Sequence, residues 1–207
     1  MRLVCRLLGQ RPDPASLAAL PLSPGVEAGA RPGDRRDHYE RLVAHEAPGD
    51  PVPDGPFERV AAAIGRYDIF PPWLIRGALA RTPVEVGDTL GVCCQLLPGV
   101  EVLFGGRVTR CFREVEGDVW RAGFTFQTVS GHPMIGEETF WVEKERATGA
   151  VRAGLHSWSR PGTWLTHLGK PALRWIQVRA SHAALTRLAK VAARSGRALH
   201  ASAAPLR

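Results

Sequence analysis

GFTFQTVSGHPMIGEETFWV, residues 123–142, is two alternating runs around a short polar turn. Alternation puts Phe124, Phe126 and Thr128 on one face of the first run and Phe140 and Val142 on one face of the second. Between the runs, Ser130-Gly131-His132-Pro133 supplies turn chemistry, because Gly admits φ > 0 and Pro fixes φ. The stretch therefore predicts a β-hairpin with a specific loop. It places His132, Glu137 and Glu138 where that loop meets the return strand.

On either side the chain reads as more strands of the same kind. The patterns predict strands over Thr89–Leu97, Val100–Val115, Val119–Ser130, Gly136–Lys144 and Ala150–Ser159, separated by Pro98-Gly99, Gly117-Asp118, the His132 loop and Thr148-Gly149. Gly105-Gly106 inside the second run suggests a bulge or bend. Upstream, His38–Ala44 is a weak candidate for a first strand. Pro56–Ile64 reads as a short helix with Asp54 as its N-cap, Pro56 in the first turn and Phe57, Val60, Ala61 and Ile64 on one face. Residues 1–36, punctuated by Pro and Gly, read as an irregular N-terminal arm, with one or two helical turns between Pro14 and Leu20. The chain then closes with apolar residues at helical spacing (Leu173, Ile176, Ala180, Ala184, Leu188, Val191). That spacing predicts a helix from about Pro171 to Ser195, with a frayed tail over 196–207. A serial antiparallel meander followed by one long helix is an α+β plan in which a curved sheet grips the helix.

Four ordered motifs point the same way. T-x-x-G-H-P-x-x-G-E-E-x-F at Thr128–Phe140, Y-x-I-F-P-P at Tyr67–Pro72, S-R-P at Ser159–Pro161 and R-x-x-Q at Arg174–Gln177 resemble those of an uncharacterised family of small plant and bacterial proteins, a domain of unknown function. That family is placed in the START-like, helix-grip superfamily of lipid carriers and polyketide cyclases. The resemblance covers roughly Asp37 to Ala193 and implies a helix-grip domain over residues 37–195, with no implied reaction or ligand.

Composition narrows the rest. The chain has 207 residues and a net charge of +7. From Ala147 onward there is no Asp or Glu and there are ten Lys and Arg, which leaves −3 for the first 146 residues. A basic C-terminal helix is thus a candidate for weak contact with anionic surfaces, against the plainer reading of a solvated face. Cys5, Cys93, Cys94 and Cys111 lack C-x-x-C spacing and read as free buried thiols, with Cys93 and Cys94 on opposite faces of their strand. No secretory leader and no run of apolar residues long enough for a membrane span is visible, so a cytoplasmic location is expected. His156 and His167 lack metal spacing, and no phosphate-binding, dinucleotide or hydrolase motif occurs, so neither a metal nor a cofactor is expected. Trp141, Trp158, Trp164 and Trp175 do not interleave with arginines on one surface as nucleic-acid readers require, so nucleic-acid binding is not expected.

The candidate site residues follow from their faces. Glu138 shares a strand face with Phe140 and Val142, so it points inward near a cavity mouth, where a carboxylate needs a partner such as Arg160 or His132. Glu137 points the other way. His132 is either a general acid/base or a lock on its own loop. Arg160 suits a carboxylate, from Glu138 or from an acidic ligand. Gln177 is polar on the apolar face of the closing helix, where it meets either a strand backbone or a ligand. With Phe124, Phe126, Phe140, Leu155, Ser157 and Ile176 these residues outline a cavity for a small apolar or amphipathic ligand, an acidic one included. The competing expectation is a cyclase, dehydratase or hydrolase using His132 and Glu138 as its catalytic pair.

Overall fold

The computed structural model describes residues 2–5, 15–97, 100–162 and 170–194. Pro98-Gly99, Trp164, His167 and the tail from Ser195 onward, each singled out above, lie outside them. Among the described residues eight strands form one antiparallel sheet. They are β1 (Arg2–Cys5), β2 (Arg35–His45), β3 (Ile75–Ala78), β4 (Thr89–Leu97), β5 (Val100–Glu116), β6 (Val119–Thr128), β7 (Met134–Glu145) and β8 (Ala150–Pro161). The order is β2-β8-β7-β6-β5-β4-β3, with β1 paired to the start of β5. Three helices accompany the sheet: α1 (Ala15–Ala18), α2 (Pro56–Gly65) and α3 (Lys170–Ala192). The meander and the long closing helix are as the sequence predicts.

α2 packs across β6 and β7, and α3 packs on β2, β8 and α2. Their apolar faces meet the concave side of the sheet in one core that includes Phe57, Ile64, Phe124, Phe126, Phe140, Ala184 and Leu188. Phe126 and Phe140 thus share a core with the closing helix.

The cap of α2 differs from the expectation. Its N-cap is Gly55, with no side-chain cap of its own, and Asp54 is in the left-handed region at φ 55. The carboxylate of Glu46, just past β2, takes over that task. It accepts the backbone N–H of Phe57 at 2.6 Å and that of Val52 at 3.0 Å. Glu46 also accepts from Lys144 Nζ at 2.9 Å, and the two side chains are 1% and 0% exposed.

Three further expectations are corrected. The N-terminal stretch is built into the fold: β1 pairs with β5, Leu17 packs with Cys93 and Leu103, and Val26 is buried. Gly105-Gly106 is not a bulge. The register shift in β5 falls between Val108 and Arg110. Gly106 is needed because a Cβ there would lie 2.2 Å from the Phe126 ring. Cys93 and Cys94 do face opposite sides, since Cys93 packs with Leu17 and Leu103 whereas Cys94 is two residues from the inward-facing Val92. Cys111, however, is exposed. β3 was not predicted; its four residues, IRGA, are too few to carry a period.

Candidate functional site

Strand register sets which side chains enter the concave face. Glu138 of β7 lies opposite Phe126 of β6 and Ser157 of β8, and Ser157 lies opposite Asp37 of β2. One rung therefore runs Asp37–Ser157–Glu138–Phe126, pointing inward. The next rung holds Tyr39, Leu155, Phe140 and Phe124.

The two ends of this face are filled differently. At one end Phe57, Phe140, Val142, Val151, Ala153 and Leu188 are buried. At the other, Ile75, Phe104, Met134, Glu138 and Ser157 are only half-buried, although they sit on the inward side of their strands. The interior of the grip is thus packed around α2 and partly open around Glu138.

Most motif residues around that open end have structural partners that account for them. The Thr128 hydroxyl accepts the Gly136 N–H at 3.2 Å and donates to Ser23 Oγ at 3.0 Å. Gly131 has φ 83. A Cβ at Gly136 would lie 2.2 Å from the Trp158 carbonyl oxygen. Glu137, on the outer face, accepts from Gln127 at 2.9 Å. His132 Nδ1 lies 3.0 Å from the Met134 nitrogen and 2.6 Å from its carbonyl oxygen, so either neutral tautomer makes a bond that closes the loop. Its ring meets Phe104 edge-on at 4.6 Å. Burial lowers the His132 pKa to about 4, against a smaller opposing effect of the Met134 bond, so the ring is neutral around pH 7. His132 is thus hydrogen-bonded within its own loop.

Glu138 is different. Its carboxyl makes no hydrogen bond and no ion pair among the described residues. Burial raises its pKa to about 7, and the Asp37 carboxylate adds to the rise. The expected partners are elsewhere. Alternation puts Ser157 and Ser159 inward and Arg160 outward, where Arg160 donates to Asp34 at 2.7 Å and to the Gly25 carbonyl at 2.8 Å. Two cations reach this rung through Asp37: Arg174 of α3, which donates to it at 2.8 Å and to the Tyr39 hydroxyl at 3.1 Å, and Arg35 of β2, which donates to it at 3.1 Å. Gln177, one turn further on, is half-buried with no side-chain bond among the described residues.

Tyr67 is the residue that periodicity did not single out. It sits between α2 and β3 with φ 53, a left-handed conformation that costs a non-glycine residue on the order of 1 kcal/mol or more. Its ring lies over Gly77, where a Cβ would come within 2.5 Å of it. The ring also packs against Phe70, Phe124 and Phe140 at 5.8, 6.4 and 5.9 Å. Its hydroxyl makes no hydrogen bond among the described residues. Burial raises its pKa well above the ordinary value, and the charges of Glu138 and Cys94 raise it further. The phenol, the Cys94 thiol and the Glu138 carboxyl therefore share one environment. The positive φ of a large residue would have been the signal, but only the backbone reveals it.

Phe124 and Phe140 are 1% and 0% exposed and belong to this aromatic cluster. Phe126, at 5%, adjoins Glu138 on its rung. Among the described residues no cluster of His, Cys, Asp and Glu fits a metal ion.

A carboxyl held without a partner has a measurable consequence. Glu138 is protonated more easily in the folded chain than in the unfolded one, so it favours the fold fully below its ordinary 4.5 and loses that effect as pH rises to about 7. At 1.36 kcal/mol per pH unit the loss is worth roughly 3 kcal/mol. Glu138→Gln is accordingly expected to stabilise the protein above pH 7, and to leave it unchanged near pH 4.5, in urea unfolding at the two pH values. Destabilisation at the higher pH would mean that the carboxylate has a partner.

A curved antiparallel sheet closed by a C-terminal helix over a partly open interior defines the helix-grip class. The chain belongs to the family described as Domain of unknown function (DUF1990), which it matches over residues 25–187. It is 28% identical over 129 residues to a UPF0548 protein of Dictyostelium discoideum, a match that covers 58% of this chain and 59% of that relative. The chain thus spans less than two thirds of that relative's length. Among solved structures, a hypothetical protein from Helicobacter pylori is similar at TM-score 0.49 and 10% identity, covering 84% of this chain and 96% of that one. Norcoclaurine synthase from Thalictrum flavum, in complex with dopamine and hydroxybenzaldehyde, is similar at TM-score 0.43 and 9% identity, covering 76% and 86%.

Proposed function

We propose that the open end of the grip binds a small amphipathic molecule, with its apolar part against Phe104, Phe126 and Met134 and its polar end at Glu138. One observation carries this reading. Around the loop the motif side chains have internal partners, whereas Glu138 points inward with none. An unpaired inward carboxyl lowers stability, and a bound polar group would offset that cost. Ser157, Gln177 and the Tyr67 hydroxyl are the further polar groups assigned to the ligand; Arg160 and His132 are engaged elsewhere.

Titration with Nile red, a neutral apolar fluorophore, tests the site. Wild type is expected to bind it with a blue-shifted emission. Phe126→Ala should change the affinity, and His132→Ala should leave it nearly unchanged. Absence of binding by wild type would remove the reading.

Acid/base catalysis in the same pocket is the second reading, supported by a carboxyl that titrates near neutrality. It pairs Glu138 with Tyr67 rather than with His132, because His132 is committed to Met134. Turnover with an inflection near pH 7, abolished in Glu138→Gln, would support it.

A further inference from the structure

We propose that the polar end of the ligand in this pocket is a cationic amine, held by the Glu138 carboxylate. This rests on the interior-pocket reading above and adds the sign of the ligand's charge, which that reading leaves open.

The argument is a charge inventory of the groups around Glu138. From β2 come Asp37, a second carboxylate, which is the neighbouring charge that acts on Glu138, and Arg35, which donates to Asp37 at 3.1 Å. From β8 comes Ser157, which is uncharged. From the segment before β3 comes the Tyr67 phenol, and from β4 the Cys94 thiol; burial holds both in their neutral forms. β6 contributes Phe126. From α3 comes Arg174, whose guanidinium is already shared between Asp37 and the Tyr39 hydroxyl. The Lys144 ammonium is committed to Glu46 and to the Asp50 carbonyl. Arg160, the cation that would have suited an acidic ligand, lies on the outer face with Asp34.

Asp37 is thus answered by two guanidinium groups, Arg35 and Arg174, whereas Glu138 is a charge on this rung that no described cation pairs. A carboxylate ligand bound at Glu138 would face like charge. An ammonium would instead supply the missing partner of Glu138 and donate up to three hydrogen bonds, to Glu138 and to neutral acceptors such as Ser157 Oγ. The expected preference for an acidic ligand is reversed because strand parity takes Arg160 out of the site.

The pH dependence follows from the same groups. An ammonium binds best with Glu138 ionised, so affinity should rise as pH increases through about 7 and fall only when the amine itself loses its proton. A carboxylate ligand would bind better on the acid side.

Three probes with the same ring test this: 1-naphthylmethylamine, 1-naphthylmethanol and 1-naphthoate, each titrated against wild type and Glu138→Gln by calorimetry. Wild type, above pH 7, is expected to bind the amine about tenfold or more tighter than the naphthoate. In Glu138→Gln that advantage should collapse while the alcohol binds as before; its unchanged affinity also reports that the variant is folded and the pocket intact. If the alcohol binds but the naphthoate matches or exceeds the amine, or if Glu138→Gln keeps the preference, the charge assignment is wrong and the pocket stands. If none of the three binds, the pocket itself is absent and both proposals fall.

Discussion

Lys144→Ala is expected to lower the unfolding free energy by about 3–5 kcal/mol, which corresponds to the loss of one partner from a fully buried ion pair. The ammonium is 0% exposed and donates to Glu46 at 2.9 Å and to the Asp50 carbonyl at 2.8 Å. Its removal strands the Glu46 carboxylate, which is also the cap of α2 through the Phe57 N–H. Burial by itself would raise the Glu46 pKa, but the Phe57 N–H, Lys144 and the Val52 N–H together hold it below the ordinary value. A carboxyl so lowered supports the fold above its ordinary 4.5 and loses that support as pH falls through its depressed value. The gap between wild type and Lys144→Ala should therefore narrow on acidification below pH 4.5. The double change Lys144→Met with Glu46→Gln keeps a capping oxygen and removes both charges, so it should cost less than Lys144→Ala alone. Urea unfolding of wild type and the two variants across pH is the measurement. An equal loss in single and double variants would show that packing, not charge, is what Lys144 supplies.

Phe140→Ala is expected to cost about 3–5 kcal/mol as well, the range for deleting a fully packed ring from a core. Phe140 is 0% exposed and its ring is the hub of an aromatic group, with Phe70 and Phe124 at 5.8 Å, Tyr67 at 5.9 Å and Phe126 at 6.3 Å. Its midpoint in urea should fall with little change in the dependence on denaturant, as for a cavity in a fold that still unfolds in one step. A loss well below that range would mean that the ring borders open space. The open end would then extend past the Glu138 rung to the Leu155–Phe140 rung.

The sequence made inward and outward faces legible wherever a strand was long. Alternation alone sent Glu138 in and Glu137 out, separated Cys93 from Cys94, and put a meander ahead of a closing helix. The same parity rule, carried from Leu155 and Ser157, would have sent Arg160 outward. Its pairing with Glu138 was drawn instead from charge complementarity, which ignores register. Other features depend on residues far apart in the chain. That Glu138 has no partner is a property of three strands and a helix together. The cap of α2 comes from Glu46 across a loop, so the nearest acidic residue, Asp54, was a misleading signal. Tyr67 opened the Y-x-I-F-P-P motif, but its place beside Glu138 became visible only through its positive φ and the glycine beneath its ring. The Pro and Gly content of the first 36 residues hid the contacts that tie them down, since Ser23 and Val26 bury themselves through turns that have no period.

The short β1 strand also bears on how the molecule behaves among its own copies. β6 reaches along β5 only as far as Gly106, and the residues before it, Val100–Leu103, are paired on that side by Arg2–Cys5. Without those four residues, β5 would present a row of unsatisfied N–H and C=O groups beside an apolar VEVL sequence, an open template for a strand from a second molecule. β1 thus occupies, along Val100–Leu103, the place that a strand from a second molecule could otherwise take, and the strands left at the margins of the sheet are β2 and β3.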